Sequence, residues 1–320
     1  LKAALYRRDE GFMSQISATR TENLGLGILL TVLAFLSVAI MSALGKAASH
    51  SVSSGVLVFF QNSISLVILL PWVIRDGIGN LKTEHLGLHC VRGISGMLSQ
   101  YFMFVALNYI PLVDAVLLVN AAPLFIPIIT WIWLKHRIGV RLWLSLVIGF
   151  IGIVLILQPG RDVVSWATPL ALVAGILSAI ALVTVGRLNT TEPSLRILFY
   201  YFLISTILTA PLLITKWSPP EPRAWIYLIG IGLTMAIAQI LLILAYEQAS
   251  PSRVSPFNYS VVVFSGIIGW IVWNEIPNAL SIVGTILVCA GGILSVIHYH
   301  KKHEPLSMNQ AIKLLARKQI

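Results

Sequence analysis

The stretch FVALNYIPLVDAVLLVNAAPLFIPIITWIWL at residues 104–134 has a faint second copy in ILAYEQASPSRVSPFNYSVVVFSGIIGWIVW at residues 243–273. The likeness runs over 104–157 and 243–296 at a constant offset of 139 positions, setting Ala106 on Ala245, Trp131 on Trp270 and Gly152 on Gly291. Few side chains are identical, so the information lies in the apolar runs around the copies. Ten candidate spans fall at 24–45, 52–74, 86–108, 112–134, 142–157, 167–187, 195–215, 224–246, 255–273 and 279–298. Most have about the 20 residues a helix needs to cross a bilayer. Without strand alternation they predict an all-α membrane protein of ten transmembrane helices, five to each copy. Five is odd, so the second copy must be inverted relative to the first. Two inverted five-helix repeats that exchange conformations turn a site open on one side into a site open on the other. The expected units are a cytoplasmic tail 1–23, a first repeat 24–157, a connecting loop 158–166, a second repeat 167–298 and a basic cytoplasmic tail 299–320.

The composition agrees, with 57% apolar residues, 11% charged and a mean hydropathy of +0.88. A soluble chain of this length needs far more polar surface. All nine tryptophans lie near span ends, where indole prefers the membrane boundary. With the N-terminus inside, 17 of the 22 Lys and Arg fall on the cytoplasmic side; Lys46, Arg161, Lys216 and Arg223 fall outside and Arg92 within a span. This bias predicts two cytoplasmic termini. The net charge of +10 is thus a topology signal, and its scatter over short loops argues against nucleic-acid binding. Cys90 and Cys289, both inside spans, suggest no disulfide and no metal site. No cleavable signal is expected, and Met13 opens an alternative start, so residues 1–12 are assigned no function. The tail 305–320 reads equally as a basic amphipathic helix on the inner leaflet or as a solubilising tail.

Pro123 and Pro127 in span four release the carbonyls of Val119 and Pro123 and predict a kink facing protein or a wet cavity. Asn120 stands beside that kink, and the offset places it on Tyr259 and Val119 on Asn258. Gln100 and Gln239 also differ by 139 positions. The expected substrate-binding residues are therefore Gln100, Asn120, Gln239, Asn258 and Tyr259, with Tyr101 and Tyr246 as stacking partners. The bland alternative, polar groups bonding neighbouring helices, stays open for each. Arg92 is the one ionised side chain clearly inside a span, and three roles stay open: a substrate carboxylate, an acidic partner, or snorkelling to the boundary. Asp114, Glu247 and Glu275 sit at span ends, which favours exchange or facilitated diffusion over proton coupling. His85 and His89, close to a loop, are expected to be solvated. No metal, no cofactor and no enzymatic motif is expected; the rival readings are a membrane-embedded enzyme and a lipid-handling or assembly protein.

These features together resemble the EamA-type drug/metabolite transporters. The resemblance covers about 24–298 and rests on Arg92–Gly93 at span three, ALNYIPLVDAVLL from Ala106, Pro123, AYEQASPSRVSP from Ala245, and NEIP from Asn274 with Glu275. His136 and Gln61 depart from it, standing where members often carry an acidic residue and an arginine. The resemblance implies a central cavity lined by spans one, three, four, six, eight and nine, with Arg92, Pro123, Pro127 and Glu275 in structural or gating roles. It also implies a small amphipathic metabolite as partner, in a monomer or homodimer within the lipid bilayer. The stretches PLVDAVLL and SPFNYSVVVFSG look most like the S-adenosylmethionine-uptake-like branch.

Overall fold

The computed structural model describes residues 23–134, 140–157, 166–216, 220–249 and 251–303, and these contain helices and turns but no strand. The expected tails at 1–22 and 304–320, most of the loop 158–166, and His136 lie outside the described residues. In chain order the helices are α1 (Leu24–Ser49), α2 (Ser54–Asp76), α3 (Leu86–Ala106), α4 (Leu112–Val119), α5 (Ala122–Leu134), α6 (Val140–Leu157), α7 (Ala167–Leu188), α8 (Ser194–Lys216), α9 (Pro222–Gln248), α10 (Pro251–Val254), α11 (Ser260–Trp273) and α12 (Ala279–His303). Seven stretches are long and apolar enough to cross a membrane, one joining α4 to α5 and another joining a 3-10 turn to α11. The apolar parts of α6 and α12 are shorter. α3 has 21 residues but carries His89, Arg92, Ser95, Ser99 and Gln100, which dilute its hydropathy. Large apolar side chains face outward, Ile132 at 69% and Ile271 at 72% exposure, as lipid contact demands.

Two expected helices are discontinuous. α4 stops at Val119 and α5 starts at Ala122, so the expected kink is a break just ahead of Pro123. Proline cannot donate to the Val119 carbonyl, and the chain answers by ending the helix. Pro127 lies inside α5, which continues through it. On the other side, α10 and a 3-10 turn over Ser255–Tyr259 precede α11. Asn23 opens α1, its Oδ1 accepting the Leu26 N–H at 3.0 Å. α12 extends to His303, past the expected boundary at 298.

α1 packs along α9, α3 along α7, α2 against α8, and α6 against α12. A shift of 139 positions maps the first of these pairs onto the second. The α6–α12 seam is backbone-close: a Cβ on Gly152 would lie 2.6 Å from the Gly284 carbonyl oxygen, and one on Gly291 2.8 Å from that of Ser145. The same shift exchanges these two contacts. Small residues let membrane helices approach this closely.

At one end of the bundle, the segment between α2 and α3 is tied to α8. Glu192 accepts from Thr83 Oγ1 and Arg196 Nη1, each at 2.6 Å, and Arg196 Nε donates to the Asn80 carbonyl at 2.6 Å. Burial pushes the Glu192 carboxyl up, but the Thr83 and Arg196 hydrogen bonds and the Arg196 charge outweigh it and hold the group below its ordinary 4.5. His89, expected to be solvated, is fully buried against Glu192 and the Tyr200 ring, whereas His85 is exposed.

Candidate functional site

The breaks between α4 and α5 and before α11 meet in the middle of the bundle beside a cavity of about 210 Å³. Its walls come from α1, α3, the 119–123 break, α7, Tyr201 of α8, α9 and the turn at Asn258–Tyr259. These correspond to spans one, three, four, six, eight and nine, with span seven added through Tyr201. Lining residues pair across the offset: Gly96 with Met235, Gln100 with Gln239, Met103 with Leu242, Val119 with Asn258 and Asn120 with Tyr259. The cavity extends toward the bundle end that carries His85, Leu188 and Gln248, since Arg92, Leu182 and Tyr246 line it close to those helix ends.

The polar groups of the lining are under-used. Gln100 Oε1, Asn258 Oδ1, the Tyr259 hydroxyl and Arg92 Nε are enclosed with no hydrogen-bond partner among the described residues. Buried polar atoms are rarely left orphaned, and four of them gather around this one space. Gln239 Nε2 reaches no better acceptor than Met235 Sδ at 3.9 Å. Asn120 spends its Nδ2 on the Val116 carbonyl at 2.8 Å. Tyr259 owes its position to Gly292, where a Cβ would lie 1.5 Å from the phenol oxygen. Arg92 is the single charged side chain of the lining, its guanidinium carbon 4.1 Å from the Tyr201 ring centre. No acidic partner is found for it among the described residues.

Gln100, Asn120, Gln239, Tyr246, Asn258, Tyr259, Arg92 and Pro123 thus come together around one cavity, whereas Tyr101, Pro127 and Glu275 do not line it. Tyr101 packs beside Phe102 against the hydrophobic core. Glu275 belongs to a buried charge cluster at the end opposite the cavity mouth. Lys46 Nζ pairs with Glu275 Oε1 and donates to the Ile110 carbonyl at 3.1 Å, while Glu275 Oε2 accepts the Leu112 N–H at 2.9 Å. The Trp273 ring centre lies 5.5 Å from Lys46 Nζ, and Asp114 is within electrostatic reach of both partners with Oδ1 enclosed. Lys46, expected in a loop, is in the last turn of α1 and only 6% exposed. The cluster ties α1 to the 110–112 corner and to the segment after α11.

The chain matches the EamA-like transporter family twice, over residues 25–158 and 165–297. It is 29% identical to the pseudopaline exporter CntI of Pseudomonas aeruginosa over 267 residues, 82% of this chain and 93% of that one. Identity to a riboflavin transporter of Vibrio cholerae is 28% over 256 residues, 78% and 86% of the two chains. For an S-adenosylmethionine uptake transporter of Rickettsia bellii it is 24% over 285 residues, 89% and 97% of the two chains. A crystal structure 17% identical in sequence superposes with a TM-score of 0.60 over 87% of this chain and 99% of that one, a likeness of fold alone. The relatives are named for different solutes, and what they share is transport. The chain is a multi-pass membrane protein and belongs to the EamA-like transporter family.

Proposed function

We propose that this protein is a secondary carrier that moves a small amphipathic metabolite across the bacterial inner membrane by alternating access. The observation that carries the reading is the central cavity, walled by residues of both halves at the 139-position offset and lined by unsatisfied amide, phenol and guanidinium groups. Ten membrane helices in two inverted five-helix repeats explain why α1–α9 and α3–α7 are interchangeable pairings, why the α6–α12 contacts exchange under the same shift, and why the family matches twice. The basic residues support cytoplasmic termini, which puts the Lys46–Glu275 cluster at the outer end. In this arrangement the cluster latches the outer end shut while the cavity leads inward.

The cavity of about 210 Å³ is smaller than the roughly 300–1,000 Å³ of pockets that enclose drug-sized ligands. A solute of S-adenosylmethionine size therefore requires the cavity to widen. Counterflow in proteoliposomes tests the reading. Preloaded solute should accelerate saturable uptake of its labelled form, and a panel of amino acids, nucleosides, flavins and S-adenosylmethionine giving neither flux nor binding would overturn it.

A further inference from the structure

Arg92 is held by a specific notch. Position 96, one turn along α3, is glycine, and a Cβ there would lie 2.3 Å from Arg92 Nη1 and 2.8 Å from Tyr201 Cε2. The missing side chain lets the guanidinium fold back along α3 toward the cavity centre and over the Tyr201 ring. This is opposite to the usual lean of helical side chains toward the N-terminus, and opposite to snorkelling toward the nearer boundary. Across the repeat offset Arg92 falls on Ile231 and Gly96 on Met235, so the positive charge has no counterpart in the other half. With no Asp or Glu in the lining, the cavity presents one positive charge, on Arg92, and the carbonyl oxygens of Gln100 and Asn258 without partners among the described residues.

We propose that Arg92, seated in the Gly96 notch, binds the carboxylate of the transported solute and selects carboxylate-bearing metabolites over carboxylate-free and cationic ones. This rests on the carrier reading above and names its substrate class. A guanidinium forms paired, charge-assisted hydrogen bonds with a carboxylate. One positive charge in a poorly hydrated site neutralises a monoanion, whereas a phosphate dianion would leave a charge unpaired and an organic cation would be repelled. Gln100 lies one turn beyond Gly96, about 6 Å along the helix axis. The solute should therefore carry N–H or O–H donors about that far from its carboxylate, to meet the oxygens of Gln100 and Asn258.

The test uses the full-length protein in proteoliposomes and counterflow of L-histidine and L-citrulline. Each competes against its own carboxamide, with riboflavin as the carboxylate-free arm and tetraphenylphosphonium as the cation. The wild type should exchange at least one of the acids and prefer it to its carboxamide about ten- to a hundredfold. Arg92→Gln should abolish that preference, and Gly96→Ala, which keeps the charge but fills the notch, should reduce it by about tenfold or more. Monodisperse elution of both variants would show that they fold; Arg92→Lys, with the charge but not the planar fork, should keep part of the preference. If riboflavin or the carboxamides exchange as well as the acids, or Arg92→Gln keeps the preference, the Arg92 assignment falls while the carrier reading stands. If nothing in the panel exchanges, both fall.

Discussion

Replacing Glu275 with glutamine separates a latch from a brace. The carboxamide oxygen can still accept the Leu112 N–H that Glu275 Oε2 takes at 2.9 Å, but the partner of the buried Lys46 ammonium is lost. Removing one member of a buried ion pair costs about 3–5 kcal/mol, because the remaining charge is stranded. Glu275 keeps 19% side-chain exposure and Asp114 stands close to Lys46, so the lower figure, about 3 kcal/mol, applies. If that energy holds the outer end closed, its loss shifts the closed–open equilibrium by about a hundredfold.

The readout is a cysteine at Ser42, which lines the cavity one turn below Lys46 and is fully buried. With Cys90 and Cys289 changed to serine, a membrane-impermeant maleimide applied from outside should label Ser42→Cys slowly. Adding Glu275→Gln should speed labelling by up to about a hundredfold. The pair Lys46→Met with Glu275→Gln strands no charge, so it should recover much of the thermal stability while labelling stays fast. Labelling unchanged by Glu275→Gln, with only a lower melting temperature, would reduce the pair to a packing brace and refute the gating argument.

Other consequences are simpler. Gly152→Leu places a side chain where even a Cβ lies 2.6 Å from the Gly284 oxygen, so the α6–α12 seam should lose at least about 1–3 kcal/mol, read as a lower melting temperature and poor recovery in detergent. Asn258→Ala removes an oxygen that bonds nothing among the described residues, so counterflow should fall at least tenfold while stability barely changes; Asn120→Ala should also impair transport, and costs about 1 kcal/mol of folding through its lost Val116 bond. Normal kinetics in both variants would remove these residues from the site. Because the Glu192 carboxyl is held below 4.5, it contributes stability that is fully present above that pH and lost as pH falls through the lower folded value. Glu192→Gln should therefore melt earlier than wild type at pH 7, and the gap should close as pH falls through the lowered folded value; a gap independent of pH would mean that the charge is not what matters.

Much of the cavity is legible in the sequence because the two family repeats stand at a constant offset. Gln100 with Gln239 and Asn120 with Tyr259 can be picked out as matched polar residues without knowing the packing. Tyr101 fails for a helical reason: it is turned about 100° from Gln100, so when one faces the cavity the other faces the core. The break at 120–121 is hidden because proline dictates only that the Val119 carbonyl goes unbonded, not whether the helix bends or stops. Lys46 is illegible because a lysine at a helix end reads as solvated. Its burial depends on Glu275, 229 positions away, arriving at the same corner. His89 is missed in the same way, through Glu192 and Tyr200.

The asymmetry of the charged residues has an energetic consequence. In a perfect inverted repeat the inward-open and outward-open states are mirror exchanges of one another and have equal free energy. Here Lys46 falls on Val185, Glu275 on His136 and Arg92 on Ile231, so the departures from symmetry include the ionised groups. A latch at one end worth about 3 kcal/mol leaves the state with that end open populated at about 1% without substrate. A solute that binds both states equally cannot change that ratio, however tightly it binds. To turn the carrier over, it must prefer the latch-open state by a comparable energy. Arg92 is the one charged side chain in the lining able to supply such a preference, if its guanidinium is better enclosed around a carboxylate when the inner end closes. Saturating transported solute should then speed maleimide labelling of Ser42→Cys from outside in the protein with Arg92 intact, and leave it unchanged with Arg92→Gln. Acceleration that persists without the arginine would place the driving contact elsewhere in the cavity.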